Sequence, residues 1–399
     1  GPQGTLFGRN TIGGAINITT KTPGDELEGK VKLTGGNFGR VNASGFLSGS
    51  IVDEILYGKI SLYSMKRDGF VDNAFDGSEL SDEDRQGYRA SLVFKPTDSL
   101  SITLSADDME EQTNRAFTQY NSSDPTAPAP ILGLYTVALA GDPSVALVPN
   151  LTSQDFRPVE NRDLSGQSMR VEWDLESGAR IVSISSSRET DFLLLADDDT
   201  APAFLSHTTF NDRSDLFTQE LRWESAANDT YDYLVGVYYQ DSDAAASRDT
   251  SIATPAPLIG TVNGAGFTVG PVGAISSEAS VQSESWAAFA NMNYRFNDAW
   301  SLGLGLRYTQ EDKSLVFAQT NTAFTGHPNV NATPSIDDSG VSGNISLSYQ
   351  TDNTNIYGSI ARGFKSGGFN PDIVPNDDIS FEKELVWTYE LGFKSTLAD

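Results

Sequence analysis

The sequence predicts an all-β fold: an up-and-down antiparallel transmembrane β-barrel, partial, with about fourteen strands. Three observations predict it. Apolar and polar residues alternate with a period of two, and the connections between the alternating segments are short and long in turn. The 399 residues also contain no apolar run of about eighteen, the length that a membrane-spanning helix requires.

The period-two alternation is clearest in the middle of the chain. Met169, Val171 and Trp173 alternate with Arg170 and Glu172. Because successive side chains of a strand point to opposite faces, such a segment has one apolar and one polar face. No segment has a convincing helical periodicity. The predicted strands lie near residues 29–36, 39–49, 54–66, 84–95, 99–112, 163–174, 178–192, 211–225, 230–243, 282–296, 299–313, 338–350, 354–362 and 384–396.

The connections between these strands alternate in length. Short turns rich in Asn, Asp, Gly or Pro lie at 95–99, 176–179, 225–230, 296–299 and 351–355. Long connections lie between them, at 67–83, 113–162, 193–210, 244–281, 314–337 and 363–383. This alternation is typical of a barrel whose two rims face different compartments, whereas a soluble sandwich has no reason to show it. The first hairpin is an exception, because residues 35–40 form a short connection where the alternation predicts a long one.

Aromatic residues cluster towards the ends of the predicted strands. In a transmembrane barrel such residues form girdles at the two membrane interfaces. The alternative explanation is the ordinary preference of aromatic residues for strands. Together with the alternating connections, the cluster favours girdles formed by Phe94, Tyr231, Tyr233, Phe296, Trp300, Tyr349 and Tyr357.

Composition and motifs exclude several classes of function. The chain has 54 acidic and 27 basic residues, a formal charge of -27, and no basic patch, so we expect no nucleic-acid partner. It has no Cys and only two His, and it lacks the HExxH and GxSxG motifs. We therefore expect no enzyme activity, no cofactor and no metal site formed by a known sequence motif. The segment 358–366 resembles a phosphate-binding loop, but Phe364 separates Gly363 from Lys365.

The two histidines and the acidic runs all fall in long connections. His207 and His327 are therefore interpreted as solvated loop residues. Three runs of Asp, at 197–199, 337–338 and 377–378, offer oxygen ligands for a hard cation such as calcium. Solvated loop charge is the simpler interpretation of these runs, and the sequence leaves calcium binding open.

The first 23 residues, GPQGTLFGRNTIGGAINITTKTP, carry the most specific signal. They resemble the end of the plug domain of TonB-dependent outer-membrane receptors, which reads approximately RGPxGxL[FY]GxxxxGGxINIxTK. Every fixed position except the leading Arg is present. Ile16 and Ile18 alternate with polar residues and predict a short strand after the glycine-rich turn. The predicted plug motif comprises Gly4, Gly8, Arg9, Asn10, Gly13, Gly14 and Asn17.

Two later segments also resemble this family. YGSIARGFKSGGFNP at 357–371 is similar to its YxSxxxG[FY]KxGG[FY]N run, and FEKELVWTYELGFKS at 381–395 is similar to its [FY]xPExxxx[YW]ExGxK strand. Lys383 stands where the family usually has Pro, which puts the local entry turn in doubt. The resemblance covers the chain and is specific at its two ends.

The resemblance implies two domains: residues 1–26 as the C-terminal end of a plug and residues 27–399 as an incomplete barrel. Family barrels have twenty-two strands, so the chain is expected to lack the last strands, most of the plug and the segment that contacts TonB. The implied function is gated import across the outer membrane of a Gram-negative bacterium, with outer-membrane lipid, TonB and a small ligand as partners. A ferric siderophore is the commonest cargo, and vitamin, haem and carbohydrate remain open. A passive porin and a secreted β-rich adhesin are the alternatives.

Candidate site residues follow from the same resemblance. Because the family holds plug against barrel through Arg–Glu contacts, Arg9 and Glu390 are the predicted plug–barrel contact, and a lumen ion pair of Glu390 without the plug is the alternative. Cations and aromatic rings in the long connections suit anionic or aromatic iron chelates. The candidate ligand contacts are Arg115, Phe117, Tyr120, Phe204, His207 and Phe364.

Overall fold

A computed structural model confirms the all-β prediction. It describes residues 1–115, 150–198, 204, 206–226, 228–253, 272–322, 328–370 and 378–396. One short helix, α1, spans Gly4–Phe7. The strands are β1 (Glu28–Gly35), β2 (Val41–Val52), β3 (Leu56–Arg67), β4 (Val71–Asn73), β5 (Glu79–Leu80), β6 (Glu83–Thr97), β7 (Leu100–Thr113), β8 (Leu151–Thr152), β9 (Val159–Asp174), β10 (Arg180–Asp197), β11 (Ser206–Glu224), β12 (Tyr231–Ala253), β13 (Val272–Arg295), β14 (Trp300–Asn321), β15 (Val330–Ala332), β16 (Ser335–Gln350), β17 (Thr354–Lys365), β18 (Gly368–Phe369), β19 (Ser380–Phe381) and β20 (Glu384–Ser395).

The long strands form one meandering antiparallel sheet. Its path is β1-β2-β3-β6-β7-β9-β10-β11-β12-β13-β14-β16-β17-β20, and β15 pairs with β14 beside this path. Each long strand therefore pairs with the next long strand in sequence, as the prediction of an up-and-down barrel requires. The remaining short strands form two small sheets in the long connections, one in the order β5-β4-β8 and the other between β18 and β19.

Strand register gives the large sheet two different faces. On β14, Leu304 and Leu306 point outwards, and their register partners on β13, Met292 and Ala290, share that face. Many large apolar side chains are exposed on this outer face. Such a face suits contact with hydrocarbon rather than with water. The opposite face of β14 carries the buried Arg307 and further polar side chains. Polar side chains therefore line the inside of the sheet.

Aromatic side chains mark two levels on the outer face. At one level Trp300 packs against Tyr349, with ring centroids 4.9 Å apart. At the other, Trp286 packs against Tyr308 at 5.5 Å. Trp300 and Tyr308 are on the same face of β14, about 26 Å apart along the strand at 3.3 Å per residue. This spacing suits the apolar band of a tilted membrane strand. Tyr357 does not belong to a girdle, because its register places it on the inner face.

Several strands extend beyond the predicted limits. The apolar alternation of β12 and β13 ends near residues 243 and 282, but the antiparallel ladder continues to Ala253 and Val272. Main-chain hydrogen bonds do not require apolar side chains, so the ladder continues where the alternation no longer indicates it. Beyond the apolar band, a small core forms around Leu315 and Phe317, against which Val330 and Phe369 pack.

The N-terminal segment differs from the prediction in two details. It contains the single turn of α1, closed by Phe7 N–H to Gln3 O at 3.0 Å and Gly8 N–H to Gly4 O at 3.1 Å. One turn is too short to produce a periodic signal in the sequence. The predicted strand at Ile16 and Ile18 is absent, since both side chains are exposed and no described strand pairs with this stretch.

In the described part of the chain, no helix has the length and apolar character needed to cross a membrane.

Candidate functional site

The N-terminal segment lies on the inner face of the large sheet. Helix α1 contacts β13, β14, β16 and β17. Its approach is close because small residues stand on both sides. A Cβ on Gly4 would lie 2.6 Å from Ser342 Oγ, and a Cβ on Gly363 would lie 2.9 Å from Pro2 Cβ. Contacts this short do not occur in folded proteins, so glycine at both positions allows the segment to sit against the wall.

One ion pair fastens this segment to the wall. Arg9 Nη2 lies 2.5 Å from a carboxylate oxygen of Glu311 on β14, and Arg9 Nη1 donates to Ser285 Oγ on β13 at 3.0 Å. Glu311 also accepts from Ser283 Oγ at 3.1 Å and pairs with Lys313 at 3.1 Å. Its side chain is only 3% exposed. A carboxylate buried to this degree needs such charged and hydrogen-bonding partners, and Arg9 is one of the two cations.

Two hydrogen bonds of Asn10, one through its main chain and one through its side chain, form a clamp that provides a second attachment. Asn10 N–H donates to the carbonyl of Phe364 at 3.0 Å, and the N–H of Ser366 donates to Asn10 Oδ1 at 3.0 Å. Asn10 adopts a left-handed backbone with φ of 65°. Asparagine tolerates this conformation better than most residues. The clamp ties the predicted plug motif to the end of β17, within the second segment that resembles the family.

Arg307 is a functional candidate that the sequence reasoning missed. It is buried on the inner face of β14, and its Nη2 lies 3.2 Å from where a Cβ on Gly8 would be. The guanidinium is 5.2 Å from the ring centroid of Tyr238 and 5.3 Å from that of Phe289. The sequence does give a signal for it, because Arg307 is a cation that follows two glycines on the inner face of a strand whose outer face is leucine-rich. We name the inner-face contacts of Arg9, Asn10 and Gly8 the plug seat.

The structure gives Arg9 a different partner from the one predicted. Glu390 lies on β20, where it accepts a hydrogen bond from Tyr357 Oη at 2.5 Å. Its register with Ser359 on β17 places it on the inner face, but Arg9 reaches the carboxylate of Glu311 instead. Sequence could not choose between these inner-face carboxylates, because strand order and register decide which of them faces the segment. Of the remaining predicted motif residues, Gly13, Gly14 and Asn17 are exposed and lie outside the seat.

A cavity of about 480 Å³ lies on the inner face towards the end of the sheet that carries the long connections. Its walls combine arginines with carboxylates. Arg85 pairs with Glu111 at 2.6 Å, and Arg115 pairs with Glu160 at 2.9 Å. The cavity is lined by Arg67, Phe70, Ser81, Asp82, Glu83, Arg85, Glu111, Thr113, Arg115 and Glu160. We name it the outer cavity.

The predicted ligand contacts fall in different places. Arg115 lines the outer cavity. Phe204 and His207 lie together elsewhere, with ring centroids 4.7 Å apart. Phe364 is 3% exposed and occupies the space beside Gly340, so its ring is a packing group and not a surface for ligand. Phe117 and Tyr120 lie outside the described residues.

Comparison with known proteins identifies a family. Residues 105–399 match the family model described as TonB dependent receptor-like, beta-barrel. Among curated proteins, the pesticin receptors of Yersinia enterocolitica and Yersinia pestis are each 27% identical to this chain over 412 residues, covering 100% of the chain and 53% of the relative. The chain thus spans about half the length of these relatives.

Solved structures share the fold. The ferric yersiniabactin uptake receptor FyuA from Yersinia pestis superposes with a TM-score of 0.78 and 21% identity, over 100% of this chain and 56% of that one. The siderophore receptor PiuA from Acinetobacter baumannii gives 0.72 and 14%, over 100% and 59%. At these identities the structures support the barrel architecture alone.

Proposed function

Because this chain belongs to the TonB dependent receptor-like β-barrel family, we propose that it is part of a receptor that imports a ferric siderophore across the outer membrane of a Gram-negative bacterium. Residues 1–26 would be the end of the plug and residues 27–399 the barrel wall. The division falls just before β1, which begins at Glu28. The apolar outer face would contact outer-membrane lipid.

The observation that carries this proposal is the plug seat. A passive porin needs an open lumen, whereas here Arg9 is held against Glu311 and Asn10 against the end of β17. A segment fixed in this way obstructs part of the lumen. Such an arrangement suits a channel that stays closed until its plug is moved.

A plug held by buried polar contacts needs a source of work to open. Ligand binding supplies only the difference between the ligand's affinities for the closed and open states. Removing Arg9 from Glu311 would leave a largely buried carboxylate with one cation fewer. TonB, acting through the rest of the plug, would supply the remaining energy in this proposal.

The outer cavity offers cations to an anionic cargo. Arg67, Arg85 and Arg115 line it together with four carboxylates, so such a cargo would compete with their ion pairs. Guanidinium groups bind carboxylate and phenolate oxygens through charge-assisted hydrogen bonds. The structural neighbours are described as receptors for ferric yersiniabactin, siderophores and ferric catecholates, so iron chelates of these classes are the first cargo to test.

Uptake of radioactive iron tests the proposal. A strain lacking its own siderophore receptors would produce the full gene product, and cells would be offered iron as ferric yersiniabactin, a ferric catecholate or ferric citrate. We expect uptake of at least one chelate above the empty-vector control, and loss of that uptake in a strain without TonB. Equal uptake with and without TonB would indicate a passive pore, and uptake of none of the chelates would reject siderophore import as the function tested.

A further inference from the structure

Three metal-ligating side chains meet outside the plug seat and the outer cavity. Asp155 follows β8, Asp197 ends β10, and His207 lies at the start of β11. One ligand atom from each side chain lies within 4.8 Å of the other two. His207 Nε2 is 2.9 Å from Asp155 Oδ1. Asp197 and His207 are also register partners across β10 and β11.

His207 and Asp197 are not the solvated loop groups that the sequence predicted. Asp197 is 0% exposed, and the side chains of His207 and Asp155 are 18% and 12% exposed. Asp198, the next residue of the acidic run, is exposed, and it accepts hydrogen bonds from Ser206 and Thr208 across the hairpin. Of the two carboxylates of this run that the structure describes, one therefore lies inside the cluster and one outside it.

Two aromatic rings orient the imidazole. Phe156 stacks on His207 with ring centroids 4.4 Å apart, and Phe204 meets it edge-on at 4.7 Å. Rings on two sides restrict the rotation of the imidazole and shield much of it from water. A ligand held in one orientation loses less entropy when it binds a metal ion.

The residue before Asp155 in the chain carries further buried polar atoms. Gln154, which directly precedes Asp155, is 0% exposed, and neither atom of its side-chain amide has a hydrogen-bond partner within the described residues. Buried amides are normally satisfied, so an exception calls for an explanation. Two buried carboxylates within 4.8 Å of each other also repel, and a shared cation relieves this repulsion.

We propose that Asp155, Asp197 and His207 bind a divalent transition-metal ion, for which Zn²⁺ is the probe. One imidazole nitrogen and two carboxylate oxygens suit Zn²⁺, whereas Ca²⁺ and Mg²⁺ prefer oxygen ligands alone. With Zn–N and Zn–O bonds near 2.0–2.1 Å, tetrahedral ligands are about 3.3 Å apart. Small side-chain movements would bring the three atoms to this spacing, and three protein ligands leave a fourth position for water.

A metal ion bound at this site would hold two of the long connections together. Asp155 belongs to the segment that continues from the small β5-β4-β8 sheet, while Asp197 and His207 belong to the β10–β11 hairpin. A bound ion would therefore link two parts of the chain that are far apart in sequence. The alternative is that the His207–Asp155 hydrogen bond alone makes this link, with no ion.

Metal titration distinguishes these two possibilities. The protein would be purified in detergent, stripped with chelator and titrated with Zn²⁺ by calorimetry. We expect one Zn²⁺ per chain, and at least about a tenfold loss of affinity in each of His207→Ala, Asp155→Asn and Asp197→Asn. Zn²⁺ should also raise the melting temperature of the parent and not that of His207→Ala.

Two control variants match these substitutions. Asp198→Asn changes the neighbouring carboxylate outside the cluster, and His327→Ala removes the other histidine of the chain. Both should bind Zn²⁺ as the parent does, and heat-modified mobility on gels would verify that every variant is folded. The proposal is overturned if the folded parent binds no Zn²⁺, if His207→Ala binds it as tightly as the parent, or if a folded control variant loses binding to the same extent.

Discussion

At the residue scale, the plug seat depends on a few side chains whose charge is buried. Glu311 lies on the inner face of β14 and is shared between Arg9 of the plug segment and Lys313 of its own strand. Its burial makes each partner matter, because a buried charge that loses one partner retains its full desolvation cost. This differs from the surface pair Lys21–Glu28, which is solvated and contributes little.

Arg9→Ala should loosen the N-terminal segment that we propose is the end of a plug. It leaves Glu311 with Lys313 and Ser283, one cation fewer, and loss of one partner from a buried pair costs about 3 kcal/mol. In a strain producing the full gene product, we expect greater sensitivity to large antibiotics such as vancomycin, and larger or more frequent conductance events in planar bilayers. Glu311→Gln should produce the same change.

The matched control for this prediction is Glu390→Gln. Glu390 is also an inner-face carboxylate, but it contacts Tyr357 and not Arg9. It should leave permeability at the parent level. If Arg9→Ala and Glu390→Gln leak while Glu311→Gln does not, the predicted Arg9–Glu390 contact is the functional one and the Arg9–Glu311 pair does not hold the segment.

At the scale of single elements, each long strand serves two environments. On β16, Ile345 is exposed on the outer face beside Leu304 and Ile360, while Ser346 points to the inner face opposite Gly303. Because side chains alternate with a period of two, adjacent residues of one strand meet an apolar environment outside and a polar one inside. The same arrangement explains why sequence alternation revealed the strands so clearly.

A charge placed on either face of β16 should have different effects. Ile345→Arg places a cation near the middle of the apolar band and should destabilise the folded barrel by about 2–4 kcal/mol. Ser346→Arg, one residue away, places it in the polar lumen and should cost much less. Unfolding of both variants in urea with lipid vesicles present, followed by tryptophan fluorescence, measures the difference. Equal destabilisation would contradict the assignment of the two faces.

At the scale of the whole molecule, the long connections and the strand ends together form the outer cavity. Residues of β3, β6, β7 and β9 contribute to it, as does the connection between β5 and β6. Arg115 is suited to meet a ligand because its side chain remains 60% exposed despite its pair with Glu160. No single strand contains this arrangement.

Arg115→Ala should weaken binding of an anionic iron chelate. A hydrogen bond to a charged group contributes about 1.5–3 kcal/mol, so we expect roughly a tenfold or greater rise in Kd for the chelate that the uptake assay identifies. Arg180→Ala is the control, because Arg180 pairs with Asp174 at the short-turn end of the sheet. Unchanged Kd in Arg115→Ala would remove the outer cavity from ligand recognition.

The sequence alone determined the elements, their order and the two faces of the sheet. These features depend on local alternation and on turn residues, so neighbouring positions carry the information. The family could also be inferred from the resemblance of the first 23 residues, in which Gly4 and Gly8 lie where the backbone passes close to the wall. The four-residue helix and the small sheets were missed because each is shorter than any periodic signal.

The tertiary structure decided which distant residues meet. Arg9 had more than one inner-face carboxylate available, and strand order and register brought it to Glu311 instead of Glu390. The burial of Asp197 and its meeting with Asp155 and His207 depend on how two separate connections fold over one another. Such contacts depend on geometry accumulated over many strands, and no local pattern in the sequence records them.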